Sequence, residues 1–220
     1  MRLLDCGSGP GTYARIAIEL GARVTCLDLS PVQLAACRES APGADDYALG
    51  TITDLSRFAD DSFDICLAFG GPLSYCFDQV DVAIRELSRV IRPGGLLGVS
   101  VMSLNGALHH HLRGVMALPL ELNREIVASG DLPREVSGHE CHMFRVDELA
   151  ALLTDAGLVD VELAASGFLL PLEVPEGLHL PEVGSDEWHW LLEAELAASV
   201  ESPGAGTHII AWARVPAKQD

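Results

Sequence analysis

The first twenty residues constrain this chain more than any other stretch. Arg2-Leu3-Leu4-Asp5-Cys6 is a short apolar run that reads as a buried strand, and Gly7-Ser8-Gly9-Pro10-Gly11 comes directly after it. Thr12 to Leu20 then carries Ile16, Ala17 and Leu20 at helical spacing, up to a stop at Gly21. Strand, glycine loop and helix in immediate succession make a ligand-binding corner. Glycine lets the chain turn sharply and lets a ligand touch bare backbone, while the helix start presents unpaired N–H groups. The spacing is G-x-G-x-G, shorter than the G-x-G-x-x-G that seats a dinucleotide pyrophosphate.

Residues 23 to 101 repeat the alternation of strand and helix. Arg23-Val24-Thr25-Cys26-Leu27 is a second apolar run ending in Asp28, and Ser30-Pro31 supplies an N-cap and an N1 proline for a helix over Pro31–Ser40. A short strand is expected near Tyr47–Leu49, with Thr53-Asp54-Leu55 after it. Phe63–Ala68 reads as a fourth strand, leaving through Phe69-Gly70-Gly71-Pro72-Leu73-Ser74-Tyr75. Arg85 to Arg92 continues a helix that ends in a Pro93-Gly94-Gly95 turn into a fifth strand, Leu96–Val101.

Taken together, these features resemble the class I S-adenosylmethionine-dependent methyltransferases. Leu3–Gly11, Asp28, Asp54, the Phe63–Gly71 strand and the R-x-x-R-P-G-G-L turn match that family in order and approximate spacing, closely over residues 2 to about 101. Phe144–Ala165 and Thr207–Val215 match more loosely. The resemblance implies an α/β fold: a Rossmann-like, doubly wound seven-stranded sheet, order 3-2-1-4-5-7-6, with strand 7 antiparallel and inserted lid helices. It implies S-adenosyl-L-methionine as cofactor, with Asp5 near its amino group, Gly7, Gly9 and Gly11 along its methionine portion, and Asp28 on the ribose. Asp54 is implied on the adenine amine, and Leu29, Leu55 and Tyr13 complete the cofactor set. Carbonyls at Phe69 and Gly70, at the carboxyl edge of the sheet, are expected to receive the ammonium group. The family also places helices ahead of its first strand. Here Met1 abuts the strand, so a cap is expected from elsewhere, or the frame is truncated.

Composition narrows the partners. The chain has 220 residues and suits one α/β domain, expected over 1–220 with lid insertions at about 104–145 and 166–205. Net charge is −18 with a single lysine, Lys218, a surface that repels phosphate backbones and argues against nucleic acid. No run approaches 18 consecutive apolar residues and no charged-then-apolar leader opens the chain, so no membrane partner and a cytoplasmic location are expected. The six cysteines form no C-x-x-C pair, and Cys6, Cys26 and Cys66 fall inside predicted strands as small hydrophobes. Oligomeric state is not legible.

Beyond the fifth strand the alternation lapses. Asn105–Ala117 and Pro119–Ser129 are expected as helices, Arg134–Met143 as an irregular polar stretch, Asp147–Ala156 as a helix and Val159–Ala165 as a sixth strand. Residues 166–184 read as loop. Ser185 starts a helix with Trp188, Leu191, Leu192, Leu196 and Val200 on one face, and Thr207–Val215 is the last strand. Leu104, Leu108, Leu112, Val115, Met116 and Leu118 offer an apolar wall for an acceptor, with His109, Arg113, His139 and His142 as polar tips. His139 and His142 are candidate catalytic bases, and Tyr75 a third catalytic candidate; a histidine base would make the rate rise with pH through about 6–7. His139-Glu140-Cys141-His142 lacks a second Cys/His pair at finger spacing, so no metal is expected. The expected activity is methyl transfer to a small molecule. The alternatives are a non-catalytic cofactor-binding partner subunit and a nucleotide-dependent oxidoreductase; the second lacks a Y-x-x-x-K dyad.

Overall fold

A computed structural model describes residues 1–169 and 179–218. Part of the expected loop over 166–184 lies outside the described residues. In chain order the strands are β1 (Arg2–Cys6), β2 (Arg23–Asp28), β3 (Asp46–Leu49), β4 (Phe63–Ala68), β5 (Ile91–Met102), β6 (Asp131–Leu132), β7 (Cys141–His142), β8 (Val159–Ser166) and β9 (His208–Arg214). The helices are α1 (Thr12–Glu19), α2 (Pro31–Ser40), α3 (Val80–Val90), α4 (Leu104–His110), α5 (Leu112–Val115), α6 (Leu120–Ser129), α7 (Arg134–Ser137), α8 (Val146–Asp155) and α9 (Asp186–Glu201).

Seven strands form one sheet in the order β3-β2-β1-β4-β5-β9-β8, the expected order once the small β6–β7 hairpin is set aside. β1 pairs in parallel with β2 and β4, β2 with β3, and β4 with β5. Along β5 and β9, Gly94 bonds to Val215 while Ser103 bonds to Thr207, so one strand climbs as the other descends and β9 is antiparallel. The Pro-Gly-Gly turn proves to be a bulge inside β5. Phe63 faces Ile91 and Ile65 already faces Leu96, so residues 92–95 loop out of the ladder with β4. The α/β class and Rossmann-like winding hold.

The described chain gathers into two compact units. One comprises Met1–Val101, Leu149–Glu162 and Ala211–Asp220; the other comprises Met102–Glu148 and Leu163–Ile210. In the first unit, Leu3, Val24, Cys26 and Leu67 pack against Ala14 and Ala17 of α1 and Cys37 of α2. Of the apolar residues expected on one face of α1, Ala17 is buried, while Ile16 is 43% and Leu20 81% exposed. Small Ala14 and Ala17 face the sheet instead, and a helix that comes close to a sheet has room only for small side chains there. Tyr13, Phe69 and Trp212 meet edge to face in succession, with centroids 5.1 and 5.6 Å apart. Gly98 makes room for Trp212, because a Cβ there would stand 2.7 Å from the indole.

The second unit has a small core of its own, formed by Leu104, Ile126, Cys141 and Met143. The long helix expected over Asn105–Ala117 is broken at His111 into α4 and α5, and the polar stretch 134–143 holds α7 and β7. Gly130 ends α6 in the left-handed conformation, as its position predicted. Ser185 caps α9, accepting from Trp188 N. The α9 stripe is real in spacing but faces outward at its end: Leu196 is 67% and Val200 60% exposed, and only Ser199 is fully buried.

Candidate cofactor site

The carboxyl ends of β1, β2, β3 and β4 surround a cavity of about 450 Å³, lined by Gly7, Gly9, Asp28, Leu29, Gln33, Gly50, Thr51, Ile52, Gly70, Pro72, Tyr75 and Cys76. Its geometry starts with the glycine loop. Gly7, Gly9 and Gly11 all have positive φ, but for different uses. A Cβ on Gly9 would meet nothing within 4 Å, so Gly9 presents bare backbone beside open space. A Cβ on Gly7 would strike Pro72 at 2.6 Å, which locks the loop to the exit of β4. A Cβ on Gly11 would strike Cys37 and Ser40 at 2.8 Å, so this glycine seats the loop on α2 and does not line the cavity.

Asp28 sits at the end of β2 and is half-buried. One carboxylate oxygen accepts from Gly9 N at 2.8 Å and the other from Ser30 N at 2.8 Å. Each oxygen keeps a second lone pair, so the carboxylate ties two loops together and still has acceptor capacity toward the cavity. Leu29 beside it is 74% exposed.

Asp5 does something its sequence position did not announce. The N-cap of α1 is Gly11, which has no side chain to offer. The Asp5 carboxylate, 1% exposed, accepts from Ala14 N and thereby caps the helix from the neighbouring strand. Its Oδ2 has no partner among the described residues, and neither does the buried Ser8 hydroxyl. Burial pushes the Asp5 carboxyl up to about 7; the Ala14 bond opposes this and the charge of Asp28 adds to it.

Asp54 and Leu55 lie differently from expectation. Neither lines the cavity. Asp54 is exposed, and its carboxylate accepts from the Ser56 hydroxyl and from Ser56 N at 3.1 Å, which together hold its carboxyl below the usual carboxylate range. Leu55 is fully buried, with its N–H donated to Glu86 and its C=O bonded by Arg89. Glu86 and Arg89 of α3 thus brace the loop after β3, and Arg89 also reaches Phe58 O and Asp60. That loop brings Gly50, Thr51 and Ile52 to the cavity wall, three residues that the sequence does not single out. The available signal was Gly50, where β3 ends with its N–H on Asp28 O.

On the opposite wall Gly70 is held by its N–H to Ser100 Oγ at 2.8 Å. Phe69 does not line the cavity; it packs against Tyr13 and Trp212. Tyr13 is likewise outside the lining, whereas Tyr75 is in it and 46% exposed.

The histidine candidates belong to the other unit. His139 is exposed, and its carbonyl accepts from Ser137 Oγ at 2.6 Å. His142 is clasped from both sides: Nδ1 lies 2.7 Å from Asp131 Oδ1, Nε2 lies 2.7 Å from Glu148 Oε1, and the ring meets Phe144 edge-on. With both ring nitrogens engaged by carboxylates, His142 has no nitrogen left for an acceptor proton, and the geometry gives it a bracing role between β7 and α8. Of the expected apolar wall, Leu104, Leu108 and Leu118 pack into the small core, while Leu112 and Met116 are 56% and 74% exposed. Among the described residues there is no group of three or more His, Cys, Asp or Glu placed to hold a metal ion.

Sheet order, glycine corner and cavity at the strand ends define a Rossmann-like methyltransferase fold. Residues 4–99 match the family model for the methyltransferase domain. The chain is 38% identical over 102 residues to a malonyl-(acyl-carrier protein) O-methyltransferase of Serratia marcescens, covering 46% of this chain and 38% of that one. It is 38% identical over 95 residues to a probable phthiotriol/phenolphthiotriol dimycocerosates methyltransferase of Mycobacterium ulcerans, covering 42% of this chain and 35% of that one. The chain thus matches well under two thirds of the length of these curated relatives. Among solved structures, an S-adenosylmethionine-dependent methyltransferase of Mesorhizobium loti aligns with TM-score 0.62 at 23% identity, covering 97% of this chain and 90% of that one. A (4+2)-cyclase, SpnF, aligns with TM-score 0.57 at 22% identity, covering 99% and 76%. The fold therefore accommodates more than one reaction.

Proposed function

We propose that the chain is an S-adenosylmethionine-dependent methyltransferase that binds its cofactor along the ends of β1, β2 and β3 and methylates a small organic acceptor. One observation carries the reading: the buried Asp5 oxygen without a partner, beside a glycine loop whose Gly9 leaves open space. A buried acceptor without a donor costs roughly 1–3 kcal/mol, and a ligand ammonium would supply that donor. The residues present fit the group. The Gly7 and Gly9 backbone suits the amino-acid part, with the unpartnered oxygens of Asp5 and Ser8 buried behind the lining; Asp28 has acceptor capacity for ribose hydroxyls, and Gly50–Ile52 with Gln33 form the wall beyond. Bound there, S-adenosylmethionine supplies a methyl group on a positively charged sulfur, open to in-line displacement.

The chain's own residues then have modest work. Gly70 and Pro72 shape the wall facing the glycine loop, and Tyr75 offers a hydroxyl that could orient an acceptor. Proximity and orientation carry the rate in this reading. The chain acts as a single methyltransferase domain in which the insertions at about 104–145 and 166–205 choose the acceptor, with no nucleic acid or membrane partner and a cytoplasmic location.

Calorimetric titration with S-adenosylmethionine and with NADH tests the cofactor. Saturable binding of the first alone is expected; a preference for NADH, or no binding of either, overturns the proposal. Turnover with a panel of hydroxyl, amine and carboxylate acceptors then separates an enzyme from a non-catalytic binding subunit.

A further inference from the structure

Resting on the proposed cofactor, we infer that Thr51, not a carboxylate, reads the purine edge of the nucleoside, and that the site consequently accepts 6-oxo as well as 6-amino purines. The sheet order supplies the layout. β1, β2 and β3 are consecutive neighbours, so a ligand whose amino-acid end lies at the β1 loop and whose ribose lies at Asp28 carries its base to the end of β3. There the lining residues are Gly50, Thr51 and Ile52, with Gln33 of α2 also in the lining. Asp28 is the single carboxylate in the described lining, and it lies at the end of β2, where the ribose takes its remaining acceptor capacity. Asp54 is turned to Ser56 N.

A carboxylate only accepts hydrogen bonds, so it favours an exocyclic amine and rejects a carbonyl. A hydroxyl can do either, provided its own proton has somewhere to go. Thr51 meets that condition. Its Oγ1 accepts from Thr53 N at 3.3 Å and pairs with the Thr53 hydroxyl at 2.9 Å, in a contact where either oxygen can donate. When the ligand donates, Thr51 accepts from it and passes its own proton to Thr53. When the ligand accepts, Thr51 donates to it and takes a hydrogen bond from Thr53. All three bonding positions of Thr51 Oγ1 are filled in both cases. Gln33, whose amide carries both donors and an acceptor, adjusts to the ring nitrogen, which is an acceptor in a 6-amino purine and a donor in a 6-oxo purine.

The test compares S-adenosylhomocysteine with S-inosylhomocysteine by calorimetry, so that no turnover is needed. Wild-type protein should bind the two within about tenfold of one another, the scale of one neutral hydrogen bond. Thr51→Asp keeps acceptors for both Thr53 groups but cannot donate, and should widen the preference for the adenine ligand to about a hundredfold or more. Thr51→Val should weaken both ligands alike. A wild-type preference for adenine beyond a hundredfold overturns the inference, as does a Thr51→Asp variant, shown folded by circular dichroism, whose preference is unchanged. A loss of adenine binding in Asp54→Ala with no loss in Thr51→Val overturns it too. If neither ligand binds wild-type protein, the cofactor reading itself falls and takes this inference with it.

Discussion

The unit that holds β1 to β4 and the unit that holds α4 to α7 differ in how firmly their loops are set and how large a core they bury. In the first, side chains reach across the fold to satisfy backbone groups: Asp5 caps α1, Asp28 ties Gly9 to Ser30, Glu86 and Arg89 brace Leu55, and Ser100 holds Gly70. These bonds fix the loops at the strand ends before any ligand arrives. The second unit uses such bonds too, Ser103 donating to Gly204 O and Asn123 to Val115 O, beside a smaller core and a histidine clasp, and it leaves Leu112, Met116 and Leu120 more than half exposed. One unit is preset for a constant ligand. The other is lightly packed, and lightly packed elements are those that open most readily and change most easily.

The largest effect should come from the preset unit. Gly9→Val should lower cofactor affinity at least about a hundredfold, because a branched side chain would enter the open space and resist positive φ. Calorimetry showing wild-type affinity would place the cofactor elsewhere. Asp28→Ala should come next, weakening binding by about 1.5–3 kcal/mol, the scale of hydrogen bonds to a charged group. Because Asp28 holds two backbone N–H groups, the apo protein should also melt about 2–6 °C lower.

The third effect is smaller and depends on pH. In the folded chain Asp5 keeps its proton up to about 7, well above its ordinary value of 3.8. Between those values the folded state binds more protons than the unfolded one, so the Asp5 contribution to stability is greatest in acid and is lost as pH rises through 7. Asp5→Asn keeps an acceptor for Ala14 N and has no charge to desolvate. Its melting temperature should therefore exceed wild type more at pH 8 than at pH 5, while its cofactor affinity falls. An advantage that does not grow with pH would count against the buried, proton-holding Asp5.

The smallest effect sharpens the contrast with the lightly packed unit. His142→Gln should lower the melting temperature by about 2–4 °C, through the loss of one or both carboxylate contacts. It should leave cofactor affinity unchanged. A loss of turnover without loss of stability would return His142 to the chemistry.

Legibility in the sequence divides along the same line. β1, β2, β4 and α2 were legible because short apolar runs, glycine punctuation and a Ser-Pro helix start are local signals. The glycine loop and Asp28 were legible for the same reason. Thr51 was not, because the loop after β3 is positioned by Glu86 and Arg89, more than thirty residues downstream. Asp54 attracted attention as a charge after a strand, whereas the cavity takes its wall from the residues nearer the strand end. In the other unit the helical period was visible but its burial was not. Leu196 and Val200 keep the right spacing and still face outward, since periodicity says which residues share a face and nothing about what covers it.

The row of Tyr13, Phe69 and Trp212 has an optical consequence. Excitation absorbed by Tyr13 can pass to the indole of Trp212 through a separation of two ring contacts. Trp212 is the sole tryptophan of its unit, because Trp188 and Trp190 lie on α9. Phe69 stands between them in space and is bonded in the chain to Gly70, a residue of the cavity wall. A displacement of that wall that carried Phe69 with it would alter the surroundings of the emitting ring. The protein thus carries its own fluorescent gauge of the strand-end cavity, built from three side chains whose first task is packing.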